Sequence, residues 1–437
     1  MTKKLSRGND LVRRAAVRLT KLHRRGSVRQ LRSVASRLGV PVWLVGGALR
    51  DALDDRPVRE IDVAALGCER LARALESAGA GTAVALSDAS PIVFRIAGKS
   101  EIDCAEIEGG SIESDLARRD FTVNAMAWDL VTGRWLDPFG GAEDLAHRRL
   151  RLVSKENLRQ DPLRALRAAR FMATSRLVPD REALRGIREV AALVSGVAPE
   201  RIRVELVKLL AAPRVAPALG MARSTGLLER TLGVPRRGSV GLGQLRDLDR
   251  SSIRRRPPPE RVRLRLALLA AALQMSPDEA GRWLAGRRFS RDEAGDVAAL
   301  LSLARSAGEL TNAREEWGWV RDSGPRRGLA LTLLPLLDPK RKARYRRLAL
   351  RRPARVKLRV TGGDLLSWLG ISPGPRVGQL LRELEIEAMR GRVRSRRAAR
   401  RWLRQTQGFG VSAESKNRES RSKVRSGNPP PPSASSL

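Results

Sequence analysis

Apolar residues change their spacing along the chain near residue 150. Before it, short apolar runs such as residues 42–45 alternate with segments in which apolar residues recur every three or four positions. Such runs are typical of buried strands, and the second spacing is typical of helices. From residue 150 to about 350, nearly every segment has the helical spacing, with Pro or Gly at the breaks. The pattern predicts a mixed α/β N-terminal part followed by a helical remainder.

Changes in composition divide the chain further. We predict a basic arm, a mixed α/β segment, three successive helical segments and a disordered tail rich in Pro and Ser. Their predicted boundaries are 1–25, 26–150, 151–235, 236–350, 351–410 and 411–437.

The charge of the chain indicates its kind of partner. Lys and Arg number 85 against 47 Asp and Glu, which gives a formal net charge of +38 and favours a nucleic acid. The most apolar stretch, around residues 264–273, contains Arg265 and is shorter than the ~20 residues that a membrane span needs. No apolar signal segment follows the basic N-terminus, so we expect a cytoplasmic protein. Two Cys and two His residues are too few for a disulfide framework or a zinc site, and any metal must use oxygen ligands.

The first candidate for chemistry is a glycine pair after a predicted strand. Gly46 and Gly47 separate the strand from a helical stretch that carries Arg50 in its first turn. Free N–H groups at a helix start and a nearby guanidinium suit a phosphate. Taken alone, the pair is also typical of an ordinary strand-to-helix turn.

Two pairs of carboxylates form the second candidate. Glu60 and Asp62 are two residues apart on a predicted strand, and Glu101 and Asp103 repeat this spacing on a later one. Residues i and i+2 of a strand face the same side, so each pair could hold a hard cation such as Mg²⁺. Each pair alone is more typical of a solvated strand face. Together with the glycine turn, the pairs indicate a two-metal site for phosphoryl transfer.

A third group lies in a segment that we predict to be one helix, from residue 114 to about 129. Arg119, Asp120 and Asn124 would lie near one another on such a helix, in positions suited to a triphosphate and a ribose. A capped helix with salt bridges would have the same composition.

The fourth group opens a helix after residue 160. Asp161 is expected to cap this helix, and Pro162 suits its first position. Arg164, Arg167 and Arg170 then form a basic stripe beside an apolar one. A solvated amphipathic helix is the alternative interpretation of this stripe.

In this order, the four groups resemble the class II tRNA nucleotidyltransferase and bacterial poly(A) polymerase superfamily, which belongs to the polymerase β-type nucleotidyltransferases. The resemblance covers residues 25–230 and extends more weakly to about 405; residues 118–125, 137–141 and 161–164 also carry it. It implies an α+β fold, in which a small mixed-sheet head with the nucleotidyltransferase site precedes a helical neck that recognises the base. A helical body and tail that bind the tRNA would follow.

The resemblance also implies a role for each candidate residue. It places the metal ligands at Glu60 and Asp62. Asp103, on the later predicted strand, is the candidate for a third catalytic carboxylate from its spacing alone. The positions that bind the incoming nucleotide through its phosphates and sugar are Gly46, Gly47, Arg50, Arg119, Asp120 and Asn124. Those that read its base are Asp161 and Arg164, with Arg167 and Arg170 in phosphate or structural contacts.

The implied activity is the Mg²⁺-dependent transfer of CMP and AMP from CTP and ATP to the 3′ end of tRNA, with release of pyrophosphate. A poly(A) polymerase and a non-catalytic RNA-binding relic are the alternatives. Residues 360–366 and 370–378 resemble the tail of tRNA nucleotidyltransferases more than that of poly(A) polymerases.

The sequence departs from the family pattern at three places. Glu60 stands where the family has Asp, and Gln160 stands where it usually has Glu. The connection from Cys104 to Asp115 leaves little room for the flexible segment that many full CCA-adding members carry. Addition of only CC or only A therefore stays open.

Overall fold

The computed structural model describes residues 7–22, 26–58, 60–87, 91–98, 101–234, 242–354, 356 and 358–406. The chain divides into two compact units, Met1–Ala298 and Ala299–Leu437. The predicted disordered tail, 411–437, lies outside the described residues, and the other predicted domain boundaries stay predictions.

A seven-stranded mixed sheet forms the N-terminal part. Its strands are β1 (Val42–Val45), β2 (Ile61–Ala65), β3 (Thr82–Ser87), β4 (Val93–Ala97), β5 (Ile102–Glu106), β6 (Ala127–Asp129) and β7 (Trp135–Leu136). Their order is β3-β4-β5-β2-β1-β6-β7, with β2 and β5 parallel and the other pairs antiparallel. The strand β3 was not predicted.

Six helices accompany this sheet: α1 (Arg7–Leu22), α2 (Gly26–Leu38), α3 (Gly47–Leu53), α4 (Cys68–Ser77), α5 (Ile112–Ala117) and α6 (Gly141–Ala146). The predicted basic arm contains α1, which buries Ala15, Leu19 and Leu22 and packs on α3 and α6. Its basic residues occupy the other positions, so this segment is an amphipathic part of the fold.

The predicted helix over residues 114–129 is wrong. The helix α5 ends at Ala117, a single 3₁₀ turn follows at Thr122–Asn124, and β6 then joins the sheet beside β1. Every residue from Phe121 to Trp128 is buried. When every residue of an apolar run is buried, its periodicity does not distinguish a helix from a strand. Here the segment forms a strand because it pairs with β1.

The rest of the described chain is helical, apart from the short parallel pair β8 (Arg149–Leu150) and β9 (Val178–Pro179). The helices are α7 (Lys155–Gln160), α8 (Leu163–Ser175), α9 (Arg181–Val190), α10 (Pro199–Ala211), α11 (Ala216–Ser224), α12 (Leu227–Leu232), α13 (Leu242–Asp247), α14 (Ser251–Arg254), α15 (Pro258–Ala272), α16 (Pro277–Ala285) and α17 (Arg291–Glu309). The predicted α+β class, a mixed sheet followed by helices, is confirmed.

The second unit contains α18 (Ala313–Ser323), α19 (Arg327–Leu337), α20 (Lys342–Leu350), α21 (Gly362–Leu369), α22 (Pro375–Met389) and α23 (Arg396–Thr406). Leucines of the last three helices form a core of their own, which includes Leu365, Leu384 and Leu403. Within the described ranges, no helix has the length and apolar character needed to cross a membrane.

Candidate active site

A cleft of about 520 Å³ opens where β1 ends and β2 begins, next to the first turns of α8. Its walls come from the sheet, the α5 region, α8 and α10. The predicted site residues that line it are Gly46, Gly47, Arg50, Glu60, Asp62, Asp103, Arg119, Asp120, Asn124, Arg164, Arg167 and Arg170. Thus the four sequence groups converge on one cleft.

The glycine turn brings Arg50 into this cleft. Gly46 has φ +65°, a left-handed conformation that a side chain disfavours, and α3 begins at the next residue. Arg50 then donates a hydrogen bond to the Asn124 side chain and lies 4.8 Å from the centre of the Phe171 ring. Burial, together with the charge of Arg170, lowers the pKa of Arg50 to about 10. The group remains charged at neutral pH.

The acidic edge of the cleft consists of Glu60, Asp62 and Asp103. Asp62 on β2 lies directly opposite Asp103 on β5, and Glu60 is exposed just before β2. Burial raises the pKa of Asp62 to about 6, and the charges of Glu60 and Asp103 act in the same direction. Negative charge thus accumulates here around a partly buried carboxylate.

Arg95 changes the expected role of the third carboxylate. It lies opposite Asp103 on β4 and donates from Nε and Nη2 to the two Asp103 oxygens, at 2.7 Å each. These bonds raise the pKa of Arg95 above its usual value. In the part of the chain that is described, no three or more His, Cys, Asp or Glu side chains are gathered as a metal site. Glu60 and Asp62 remain as a carboxylate pair whose oxygens and excess charge fit a divalent cation.

Asp120 occupies the inner wall of the cleft and is only 3% exposed. It accepts hydrogen bonds from the Asn124 amide at 2.6 Å and from the Phe121 N–H at 2.8 Å, and Arg167 lies 2.9 Å away. Burial alone would raise the pKa of Asp120, but these partners, Arg167 first, hold it below its usual value. Asp120 and Asn124 therefore come together as expected, although the segment is a turn and not a helix.

Arg119 continues this network on the side of the sheet. Its Nε and Nη2 donate to Asp115 Oδ2 at 3.1 and 2.8 Å, and its Nη1 donates to the Asn124 carbonyl at 3.3 Å. Asp115 was not predicted as a site residue, although its spacing of four from Arg119 is a common signal for an ion pair. The contacts fix the guanidinium near Gly46.

Asp161 does not cap α8 through its side chain, so that expectation is wrong. Pro162 stands at the N-cap position, and Asp161 ends α7. One Asp161 oxygen, Oδ2, accepts from Arg201 at 2.9 Å, while the other, Oδ1, is buried without a hydrogen-bond partner among the described residues. Arg164 lies 3.9 Å from Asp161 and donates to the carbonyls of Arg118 and Asn157 at 2.8 and 3.0 Å. Asp161 and Arg164 therefore lie close together, and Asp161 Oδ1 makes no hydrogen bond among the described residues.

An arginine cluster, Arg50, Arg167 and Arg170, surrounds the ring of Phe171. The three guanidinium carbons lie 4.8, 5.9 and 4.3 Å from the ring centre, respectively. Cation–π attraction stabilises guanidinium groups that lie over the face of an aromatic ring. Arg170 also pairs with Glu205 of α10 at 2.7 Å. Glu205 was not predicted as a site residue; its signal in the sequence is an acidic residue among the apolar positions of α10.

Three segments of the chain match models of known protein families. Residues 96–151 match the poly(A) polymerase head domain, 178–234 match the RNA and SrmB binding site of polymerase A, and 339–399 match domain 2 of tRNA nucleotidyltransferase. A crystal structure of the Bacillus stearothermophilus CCA-adding enzyme in complex with CTP has the same fold, with a TM-score of 0.70 and 23% identity over 90% of this chain and 100% of that one.

Two curated relatives match at higher identity. The CC-adding tRNA nucleotidyltransferase of Geobacter sulfurreducens is 34% identical over 409 residues, 86% of this chain and 94% of the relative. The A-adding tRNA nucleotidyltransferase of Deinococcus radiodurans is 33% identical over 421 residues, 84% and 96% of the two chains. The chain belongs to the class II tRNA nucleotidyltransferases, an enzyme family that adds nucleotides to tRNA 3′ ends.

Proposed function

We propose that this enzyme adds two cytidine nucleotides from CTP to the 3′ end of tRNA and leaves the terminal adenosine to another enzyme. The connection between β5 and Arg119 carries this proposal. After β5, the chain makes one 3₁₀ turn at Glu108–Gly110 and enters α5, which is capped by the Ser111 hydroxyl on the Ser114 N–H. No residues of this connection are left for the flexible segment that many CCA-adding members carry at this place.

Similarity to relatives alone does not distinguish CC addition from A addition. Relatives named CC-adding and A-adding match this chain at 34% and 33% identity, nearly the same value. The relatives do favour tRNA over the poly(A) tail as product, since both are named tRNA nucleotidyltransferases. The short connection argues against full CCA addition, and the assay with CTP and ATP distinguishes CC addition from A addition.

The base of the incoming nucleotide would be read by Asp161 and Arg164. Asp161 Oδ1, buried without a hydrogen-bond partner among the described residues, would accept from the amino group of cytosine, and Arg164 would donate to its ring nitrogen or carbonyl. The backbone carbonyls of Arg118 and Asn157 hold the Arg164 guanidinium in place beforehand. Preorientation of this kind lowers the entropic cost of recognition.

Arg50 and Arg119 would hold the triphosphate, with Gly46 and Gly47 leaving room for its close approach. The 3′ oxygen of the tRNA then attacks the α-phosphorus, and pyrophosphate leaves. A divalent cation at Glu60 and Asp62, which we propose to be Mg²⁺, would stabilise the charge on the attacking and leaving oxygens. Positioning and charge stabilisation account for the catalysis of such a transfer.

The test uses the full chain, Mg²⁺, and tRNA transcripts that end before CCA, after the first C and after CC. With CTP we expect two, one and no additions, respectively, and with ATP no addition to the third transcript. Addition of A to the CC transcript would overturn CC-only specificity. Long A tails would indicate a poly(A) polymerase, and tRNA binding without any incorporation would indicate a relic.

A further inference from the structure

A second pocket, of about 480 Å³, lies at the far end of α8 from Asp161. Five arginines from separate segments of the chain line it: Arg56, Arg148, Arg176, Arg214 and Arg254. The C-terminal residues of α8, Ala173 to Ser175, form part of its wall. The catalytic cleft reaches Arg170 and Phe171 on the same helix, so the two pockets adjoin along α8 and are lined by different residues.

Positive charge in the arginine pocket is mostly uncompensated. Asp54 pairs with both Arg148 at 2.7 Å and Arg56 at 3.2 Å. The side chains of Arg176, Arg214 and Arg254 make no hydrogen bond or ion pair within the described ranges, and all three residues are exposed. By contrast, Arg167 and Arg170 in the catalytic cleft each have a carboxylate partner. The arginine pocket thus offers at least three free guanidiniums to an anion.

The backbone around the pocket holds two of these arginines in unusual conformations. Arg148 and Arg176 have φ of +55° and +56°, in the left-handed region that residues with a side chain rarely adopt. Such conformations persist where the surrounding structure fixes them, and they concentrate at functional sites.

Arg214 lies on a fixed link between α10 and α11. The Asp249 carboxylate accepts from the N–H groups of Val215 and Ala216 at 2.8 and 3.0 Å. The fully buried Arg265 donates to Asp249 at 3.2 Å and to the Pro213 carbonyl at 3.2 Å. The link that carries Arg214 is therefore fixed on both sides.

We propose that the arginine pocket binds phosphate groups of the tRNA backbone, outside the catalytic cleft. Planar guanidiniums that converge from several segments suit phosphate oxygens, which they can contact in pairs. A contact of this kind supplies affinity and register without reading sequence. The phosphate chemistry follows from the pocket alone, whereas its assignment to tRNA rests on the proposed function.

The test compares Arg176→Gln/Arg214→Gln with the control Arg37→Gln/Arg70→Gln, which removes the same charge from exposed positions on α2 and α4. Affinity for a tRNA transcript lacking CCA is measured by fluorescence anisotropy as the salt concentration is raised. Two lost phosphate contacts should reduce the slope of log K against log salt by ~1.4 to 1.8. The control should change it less, and the KM for CTP at saturating tRNA should stay unchanged in both variants.

Equal slopes in the two variants would overturn the proposal. Titration with inorganic tripolyphosphate tests the other source of phosphate. If tripolyphosphate binds the wild-type protein but not the pocket variant, and both proteins bind tRNA equally well, the pocket binds a free polyphosphate. The assignment to tRNA would then be wrong. Melting temperatures check that both variants are folded. Because binding is measured without catalysis, a failure of CC addition leaves this test intact.

Discussion

The acidic edge and the arginine cluster face the same cleft, but their charges are balanced in different ways. Arg167 and Arg170 each have a carboxylate within 2.9 Å, supplied by Asp120 and Glu205. Asp62 instead has Glu60 and Asp103 as neighbours, which add to the effect of burial and raise its pKa to about 6. The fold thus supplies the counterions of the arginine cluster, whereas at the acidic edge it pairs Asp103 with Arg95 and leaves Asp62 beside like charges.

The largest effect is expected at the acidic edge. Asp62→Asn should reduce the rate of nucleotide incorporation by about 10²- to 10³-fold or more, the usual cost of losing one group that stabilises charge in the transition state. The melting temperature should stay the same or rise, because the substitution removes a carboxylate that burial and like charges disfavour. Incorporation of labelled CMP and thermal unfolding measure the two.

The control for this change is Asp278→Asn, which removes one charge from an exposed position on α16. Its incorporation rate should equal that of the wild type. A marked fall in melting temperature for Asp62→Asn, with tRNA binding lost in proportion, would show that Asp62 is structural.

In the arginine cluster the main loss should be in stability. Asp120→Asn removes a buried partner of Arg167 and should lower the free energy of unfolding by about 2–3 kcal/mol, somewhat less than for a fully buried pair because Arg167 is partly exposed. Urea unfolding measures this loss.

The pH dependence gives a second readout for Asp120. Its pKa in the folded state lies below the usual value, so its stabilising contribution is complete above the pKa of the unfolded chain and is lost as the pH falls through the folded pKa. The stability difference between wild type and Asp120→Asn should therefore shrink in acid. A difference that is constant with pH would argue that the Asp120 charge plays no part.

Discrimination between nucleotides should depend on Asp161 and Arg164, which lie next to the arginine cluster. Arg164→Ala should reduce the discrimination between CTP and UTP by about 1–3 kcal/mol, the value of one good contact to a base edge. The KM for CTP should change less than this ratio, because Arg50 and Arg119 still hold the triphosphate. Arg188→Ala, on the exposed side of α9, is the control. Unchanged discrimination would remove Arg164 from base recognition.

The smallest effect is expected at Arg95, which pairs with Asp103 on the acidic edge. Arg95→Gln breaks a half-exposed ion pair with Asp103, so the free energy of unfolding should change by less than about 1 kcal/mol. The freed Asp103 carboxylate should lower the Mg²⁺ concentration needed for half-maximal incorporation. A higher Mg²⁺ requirement would mean that Arg95 positions Asp103 for the cation.

Local patterns were enough to predict several parts of the site. The run at β1 and the following glycines predict a strand, a turn and a helix, and the structure has them at Val42–Val45 and Gly47–Leu53. Alternation along the two predicted strands places Glu60 with Asp62 and Glu101 with Asp103, and the parallel pairing of β2 with β5 brings Asp62 opposite Asp103. These features depend on neighbours in sequence, which is why they could be predicted.

Other parts depend on packing and were missed. The segment after α5 forms the strand β6 because it pairs with the edge of β1. The periodicity of the segment itself does not determine this. The pairing of Arg95 with Asp103 follows from the β4–β5 register. The ion pair between Arg170 and Glu205 follows from the packing of α8 on α10.

The sequence by itself determined the family, the α+β class and the residue types that line the cleft, because motif order and strand or helix periodicity are local properties. Only the tertiary structure decided which of these charges are neutralised. Ion pairs form between elements that are distant along the chain, and burial sets their strength. It was therefore the packing of α8, α10 and the sheet that gave Arg167 and Arg170 their carboxylate partners and left Asp62, among the described residues, beside like charges and without an ion pair.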